Sequence, residues 1–205
     1  MPEEPSTLRA RRRVQTQRTI QAHATRLFRE RGYDATTMND VAEAAGVSPM
    51  TVYRHFPTKE DLVLSDQYGE LIAERVAASP AGQPLVRRIG GALVAAAAAL
   101  AGDDAAADRR FLLVRLQLMI ATPALRARHL DNQYALQQAI LGALEDGDAD
   151  PDAAFEAQAA ASACLAALHT AMVRWAEDDG RTDLPGLVGK ALAAVFGDDV
   201  AGPAR

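Results

Sequence analysis

Residues 37–62 read TMNDVAEAAGVSPMTVYRHFPTKEDL. Thr37 with Asp40 three residues on has the form of a capping box, and Met38, Val41, Ala42 and Ala45 line one face before Gly46. This predicts a helix of about two turns with a glycine stop. Ser48-Pro49 then supplies an N-cap followed by proline at the first helical position, where the missing N–H has no partner to lose. A second short helix is predicted over Ser48–Phe56. Pro57-Thr58 ends it and, with Asp61, caps a fourth, longer helix from Lys59. Two short helices across a glycine turn make a helix-turn-helix.

The third helix carries two kinds of residue. Val52 and Phe56, four apart, face inward with Val47, while Ser48, Pro49, Met50, Thr51, Tyr53, Arg54 and His55 project elsewhere. That mixed donor and apolar face has the size and chemistry of one that enters a major groove. Upstream, Ile20, Ala24, Leu27 and Phe28 follow helical spacing and Gly32 stops the run, so a first helix is predicted over about Arg12–Arg31.

Together with FRERGY at 28–33, these positions resemble the TetR/AcrR family of bacterial repressors, with core, turn, cap and polar face all at fixed spacing. The resemblance implies that the third helix is a recognition helix. Arg54 then suits guanine O6/N7 or a phosphate, Met50 and Thr51 a thymine methyl, and Ser48, Tyr53, His55 and Lys59 phosphates. Thr37 and Lys59 stand at helix N-termini, which favour phosphate. Pro49 completes the exposed turn, and Arg11, Arg12 and Arg13 form an arm for a minor groove or the backbone.

Charge agrees with that division. Residues 1–60 carry ten Lys or Arg against seven Asp or Glu, and the remainder twelve against twenty, within a net charge of −5. Basic character is confined to the end that would meet nucleic acid. The expected domains are therefore 1–60, a helix-turn-helix with a basic arm, and 61–205, for ligand binding and dimerisation.

Composition fixes the fold class. Of 205 residues, 44 are Ala and 22 Leu against only 18 Val plus Ile, a balance that favours helix over strand. An all-α protein of about nine helices is expected. Beyond the fourth, they are placed over Leu85–Leu100, Arg109–Ala121, Thr122 to about Glu145, Asp150–Glu177 and Leu184–Phe196. The segments RFLLVRLQLMIATPALRAR and LHTAMVRWAEDDG resemble the subgroup with mycofactocin-system regulators, which implies an acyl-CoA-type ligand.

Arg115 lies four residues from both Phe111 and Met119 on an otherwise apolar helix, so it needs a partner, either an acidic ligand group or a carboxylate of the chain. Arg126, Arg128 and His129 follow the Pro123 turn, where a phosphate or carboxylate would also be held. Cys164, Leu168, Met172 and Trp175 descend one face of the next helix beside His169. With Met119 and Tyr134 they line either a ligand cavity or ordinary core. The alanines 157, 160, 161, 167 and 171, with the apolar positions of Leu184–Phe196, suggest a two-fold four-helix bundle. A dimer would read half-sites about 34–36 Å apart, or a multiple of that distance.

Other classes find little support. One cysteine excludes an internal disulfide and any CxxC pair. No Glu stands three residues before any of the four histidines, and GxSxG and HExxH are absent, so neither an enzyme nor a metal or cofactor is expected. The polar, arginine-rich N-terminus is no signal peptide, and the apolar run Ala92–Ala101 is too short for a membrane span, which points to a cytoplasmic protein. The reading is a dimeric repressor released from double-stranded operator DNA by a small hydrophobic or acyl-CoA-like effector. A helical protein that binds a small molecule or a partner without regulating DNA is the alternative.

Overall fold

The computed structural model describes residues 5–64, 69–102, 105–144 and 150–197, with side chains from Arg12 onward. The described residues form helices only: α1 (Pro5–Arg31), α2 (Met38–Ala45), α3 (Pro49–His55), α4 (Asp61–Leu64), α5 (Gly69–Ala77), α6 (Leu85–Ala99), α7 (Ala106–Ala121), α8 (Pro123–Leu144), α9 (Pro151–Glu177) and α10 (Leu184–Phe196). The all-helical expectation of about nine holds, with the expected fourth helix described as α4 and α5 on either side of residues 65–68. Among these helices none is long and apolar enough to cross a membrane.

The first departure lies at the N-terminus. The expected basic arm is the opening of α1, which begins at Pro5 instead of Arg12. Proline at the first position costs no hydrogen bond, and no Gly or Pro interrupts residues 6–31, so nothing stops the helix earlier. Arg12 and Arg13 are exposed on this helix, and the side chain of Arg11 lies outside the described residues.

Helices α1, α2, α3 and α4 close around Ile20, Leu27, Phe28, Val41, Val52, Phe56 and Leu62, all buried. Beyond them α5 packs on α6 and α8, α9 is held by α6, α7, α8 and α10, and α10 lies against both α6 and α9. Trp175, almost fully buried, lies under Gly180, whose φ of 70° is left-handed. A Cβ there would stand 3.1 Å from the indole, so space and backbone both call for glycine. Arg88 is buried, its Nε donating to Ser79 Oγ at 2.9 Å and an Nη2 hydrogen to the Val76 carbonyl, which ties α6 to the end of α5.

The two-fold stripe expected of the last helices is also revised. Ala161, Ala167, Ala171, Leu184, Val188 and Leu192 are spent inside the chain, in the seam between α9, α10 and α6. The outward faces carry Phe155, Ala159, Ala166 and Thr170 on α9 and Lys190, Ala194 and Val195 on α10. The inner and outer faces of an alanine-rich helix differ too little in composition for sequence to separate them.

Candidate DNA interface and effector cavity

The helix-turn-helix is built by local hydrogen bonds. Thr37 N–H donates to Asp40 Oδ2 at 2.7 Å and Asp40 N–H to Thr37 Oγ1 at 3.1 Å, the expected capping box. At the other end Gly46 takes φ 67°, ψ 31°, and the next amide, Val47 N–H, donates back to the Ala42 carbonyl at 3.0 Å. That left-handed residue turns the chain from α2 into α3. Ser48 Oγ accepts from Thr51 N–H at 3.2 Å and pairs with the Thr51 hydroxyl at 2.9 Å. A second capping box joins Thr58 and Asp61 at the start of α4.

The two-sided reading of α3 is realised. Val52 is fully buried and Phe56 nearly so, while Ser48, Pro49, Met50, Tyr53 and Arg54 are exposed and Thr51 and His55 partly so. Met50 is 74% exposed and Tyr53 48%. Exposed large apolar side chains on a helix already anchored from behind mark a surface that meets a partner. His55 lies within the field of Arg13, so the opening of α1 and the end of α3 share one basic surface. Burial first, then Arg54 and Arg13, lowers the His55 imidazole below its usual range.

Lys59 has a more constrained place than expected of a phosphate donor. Its ammonium sits 4.2 Å from the centre of the Tyr33 ring and donates to the Asp34 carbonyl at 3.5 Å. Tyr33 in turn donates to Glu60 Oε1 at 3.0 Å, and burial, with that carboxylate, raises the phenol well above its usual range. The cation–π contact holds the junction of α1 and α4 together.

The second feature is a cavity of about 110 Å³ lined by α5 to α10. It is several times the roughly 10–15 Å³ that admits one water. Its walls are mostly apolar, among them Ile72, Leu93, Leu112, Leu165, Met172 and Leu184, with a polar group formed by Arg115, His129, Asn132, Gln133 and His169. His129 Nε2 and His169 Nδ1 share a hydrogen bond of 3.0 Å. Burial first, then His169 and the Arg115 charge, pushes His129 down to about 4, so His129 is neutral near neutral pH.

Of the residues expected in a pocket, Arg115, Leu168, His169 and Met172 line this cavity. The other four do not. Met119, Cys164 and Trp175 are buried core side chains outside the cavity lining, and Tyr134 is 64% exposed. Burial also pushes the Cys164 thiol up to about 12. Successive helical residues turn by about 100°, so a stripe drawn on one helix wall overruns any cavity only a few residues wide.

The Arg126, Arg128 and His129 cluster also separates on that turn. Arg126 donates to the Ile120 carbonyl at 2.6 Å, and Arg128 Nη2 meets Asp61 Oδ1 at 2.9 Å, leaving His129 to the cavity. The Arg128 contact joins α8 to α4, reinforced by Asn132 Nδ2 donating to the Leu64 carbonyl. Burial alone would raise the Asp61 carboxyl, but hydrogen bonds from Thr58 and Arg128 outweigh it and hold the group below the usual carboxylate range.

Residues 20–65 match the family described as bacterial regulatory proteins, tetR family, and residues 103–197 match the MftR C-terminal domain. The chain belongs to the TetR family. It is a DNA-binding transcriptional regulator. The regulator TcmR of Streptomyces glaucescens is 29% identical over 151 residues, spanning 71% of this TetR-family chain and 67% of its own. Two solved structures share the fold. NalD of Pseudomonas aeruginosa, the secondary repressor of the MexAB-OprM multidrug efflux pump, aligns over 90% of this chain and 95% of its own, at 22% identity and TM-score 0.55. FadR of Thermus thermophilus, a repressor solved with lauroyl-CoA, aligns over 92% and 96%, at 23% identity and TM-score 0.53.

Proposed function

We propose that this TetR-family regulator is a cytoplasmic dimeric repressor that leaves its operator when an amphipathic small molecule enters the cavity of α5–α10. The observation that carries the DNA half is the division of α3, with Val52 and Phe56 anchored and Met50, Tyr53 and Arg54 exposed. In this reading Pro49, Met50, Thr51 and Arg54 face base edges. Arg12, Arg13, Thr37, Ser48, Tyr53, His55 and Lys59 serve the phosphates, and Arg11 falls on the same stretch of α1. Residues 1–60 act as the DNA-binding part and 61–205 as the effector and dimer part.

The acyl-type effector is favoured by the mainly apolar cavity with one polar cluster, and by the match of its helices to the MftR C-terminal domain. The FadR repressor of similar fold holds lauroyl-CoA, which agrees with that choice. Occupancy reaches the DNA through α8. His129, Asn132 and Gln133 line the cavity, while Arg128 and Asn132 hold α4, which follows the recognition helix directly. A shift of α8 moves α4 and with it the spacing of the two recognition helices in the dimer. Only a difference in effector affinity between the two spacings drives release. A coupling of roughly 1.4–2.8 kcal/mol gives tenfold to hundredfold weaker operator binding.

Selection of duplexes from random sequence tests the proposal. The expected product is a two-fold symmetric site with half-sites about 34–36 Å apart or a multiple of that. Recovery of no preferred duplex would reject it.

A further inference from the structure

We infer that the head group of the effector is a free anion held inside the cavity, and that the His129–His169 pair takes up one proton from solvent as it binds. The inference rests on reading this cavity as the effector site, and it favours a free acid group over an uncharged thioester linkage at the polar cluster. The geometry begins with the ring–ring hydrogen bond at 3.0 Å. A neutral pair holds two ring hydrogens, one of them between the rings, so either tautomer leaves one outer nitrogen bare, Nδ1 of His129 or Nε2 of His169. A proton placed there preserves the ring–ring hydrogen bond and converts the acceptor into a donor. The pair then offers a charged N–H to an anion, the stronger kind of hydrogen bond.

The surroundings determine which ligand charge fits. Among the described lining residues Arg115 of α7 carries the fixed charge, and its field reaches His129. Helix α8 adds only the neutral amides of Asn132 and Gln133 beside His129, while α5, α6 and α10 present Gly69, Ile72, apolar α6 side chains and Leu184. Among the described lining residues there is no carboxylate. A guanidinium beside an imidazole pair in apolar walls favours an incoming anion and disfavours a cation. Burial, then His169 and the Arg115 charge, keeps His129 unprotonated in the empty cavity. An anion seated there reverses the balance, so its binding and the proton uptake favour each other.

Octane-1-sulfonate is the deciding probe because it stays ionised throughout, so any proton taken up belongs to the protein, and 1-octanol is its uncharged counterpart. Titration calorimetry in buffers of different ionisation heat is expected to give uptake approaching one proton per sulfonate. The sulfonate Kd should fall about three- to tenfold per pH unit between pH 8 and 6, ten being the limit for one coupled proton. ¹⁵N-histidine spectra should move from the neutral toward the imidazolium pattern on sulfonate addition but not with octanol, and His169→Asn should abolish the pH slope. Equal binding of sulfonate and octanol with no proton uptake would overturn the inference while leaving the cavity an apolar ligand site. Failure of both to bind or to raise Tm would reject the effector-site reading itself, and this inference with it.

Discussion

Two substitutions on α3, two positions apart, should have opposite consequences. Val52 is fully buried. Val52→Ala removes two buried carbons, about 1.6 kcal/mol at roughly 0.8 per carbon, and the residual cavity brings the loss to about 2 kcal/mol. For a chain of this size that corresponds to a Tm lower by about 4–8 °C. Arg54 is exposed. Arg54→Ala should change stability by no more than about 0.5 kcal/mol. It should weaken operator binding by roughly 1–3 kcal/mol if the guanidinium reads a base, a loss of about fivefold to 150-fold. Denaturant unfolding with fluorescence anisotropy on a selected duplex separates the two effects. Equal destabilisation by both substitutions, or unchanged affinity and sequence preference in Arg54→Ala, would refute the two-sided reading of α3.

Other consequences are as direct. Arg128→Met keeps the stem but breaks the partly exposed pair with Asp61, so it should cost only about 1 kcal/mol of stability while cutting effector-driven release about fivefold, measured by anisotropy with and without effector. Asp61 titrates low in the folded chain, so its contribution is present above about pH 4 and is lost as pH falls through the folded value. The Tm difference between parent and Arg128→Met should therefore shrink toward pH 3. Thr37→Ala removes the capping box of α2 and should lower stability by about 1 kcal/mol in denaturant unfolding. Cys164, fully buried with its thiol raised to about 12, should resist alkylation by N-ethylmaleimide in the folded chain and react once it is unfolded, as read by mass spectrometry.

The helix-turn-helix was legible because its determinants are local. Thr37 with Asp40, Gly46, Ser48-Pro49 and Thr58 with Asp61 each fix a boundary within three residues, and the structure uses all of them. The start of α1 was equally local: the uninterrupted run after Pro5 signals helix, and its arginines drew the reading toward an arm instead. The cavity is different in kind. His129 and His169 are 40 residues apart on two helices, and their meeting depends on how α8 rolls against α9. Helix α8 is apolar on no single face, so periodicity cannot give that roll. Arg88 eluded the sequence for a related reason: a basic residue beside Arg87 looks solvated, and only the end of α5 supplies the buried acceptors it meets.

Binding to a selected duplex, followed from about 50 to 200 mM salt, tests the central claim that the exposed side of α3 and the opening of α1 grip DNA. For a dimer neutralising six or more phosphates, affinity should fall by about a thousandfold or more across that range, linearly in log–log form. No retention of any duplex at 50 mM salt, or an affinity indifferent to salt, would contradict it.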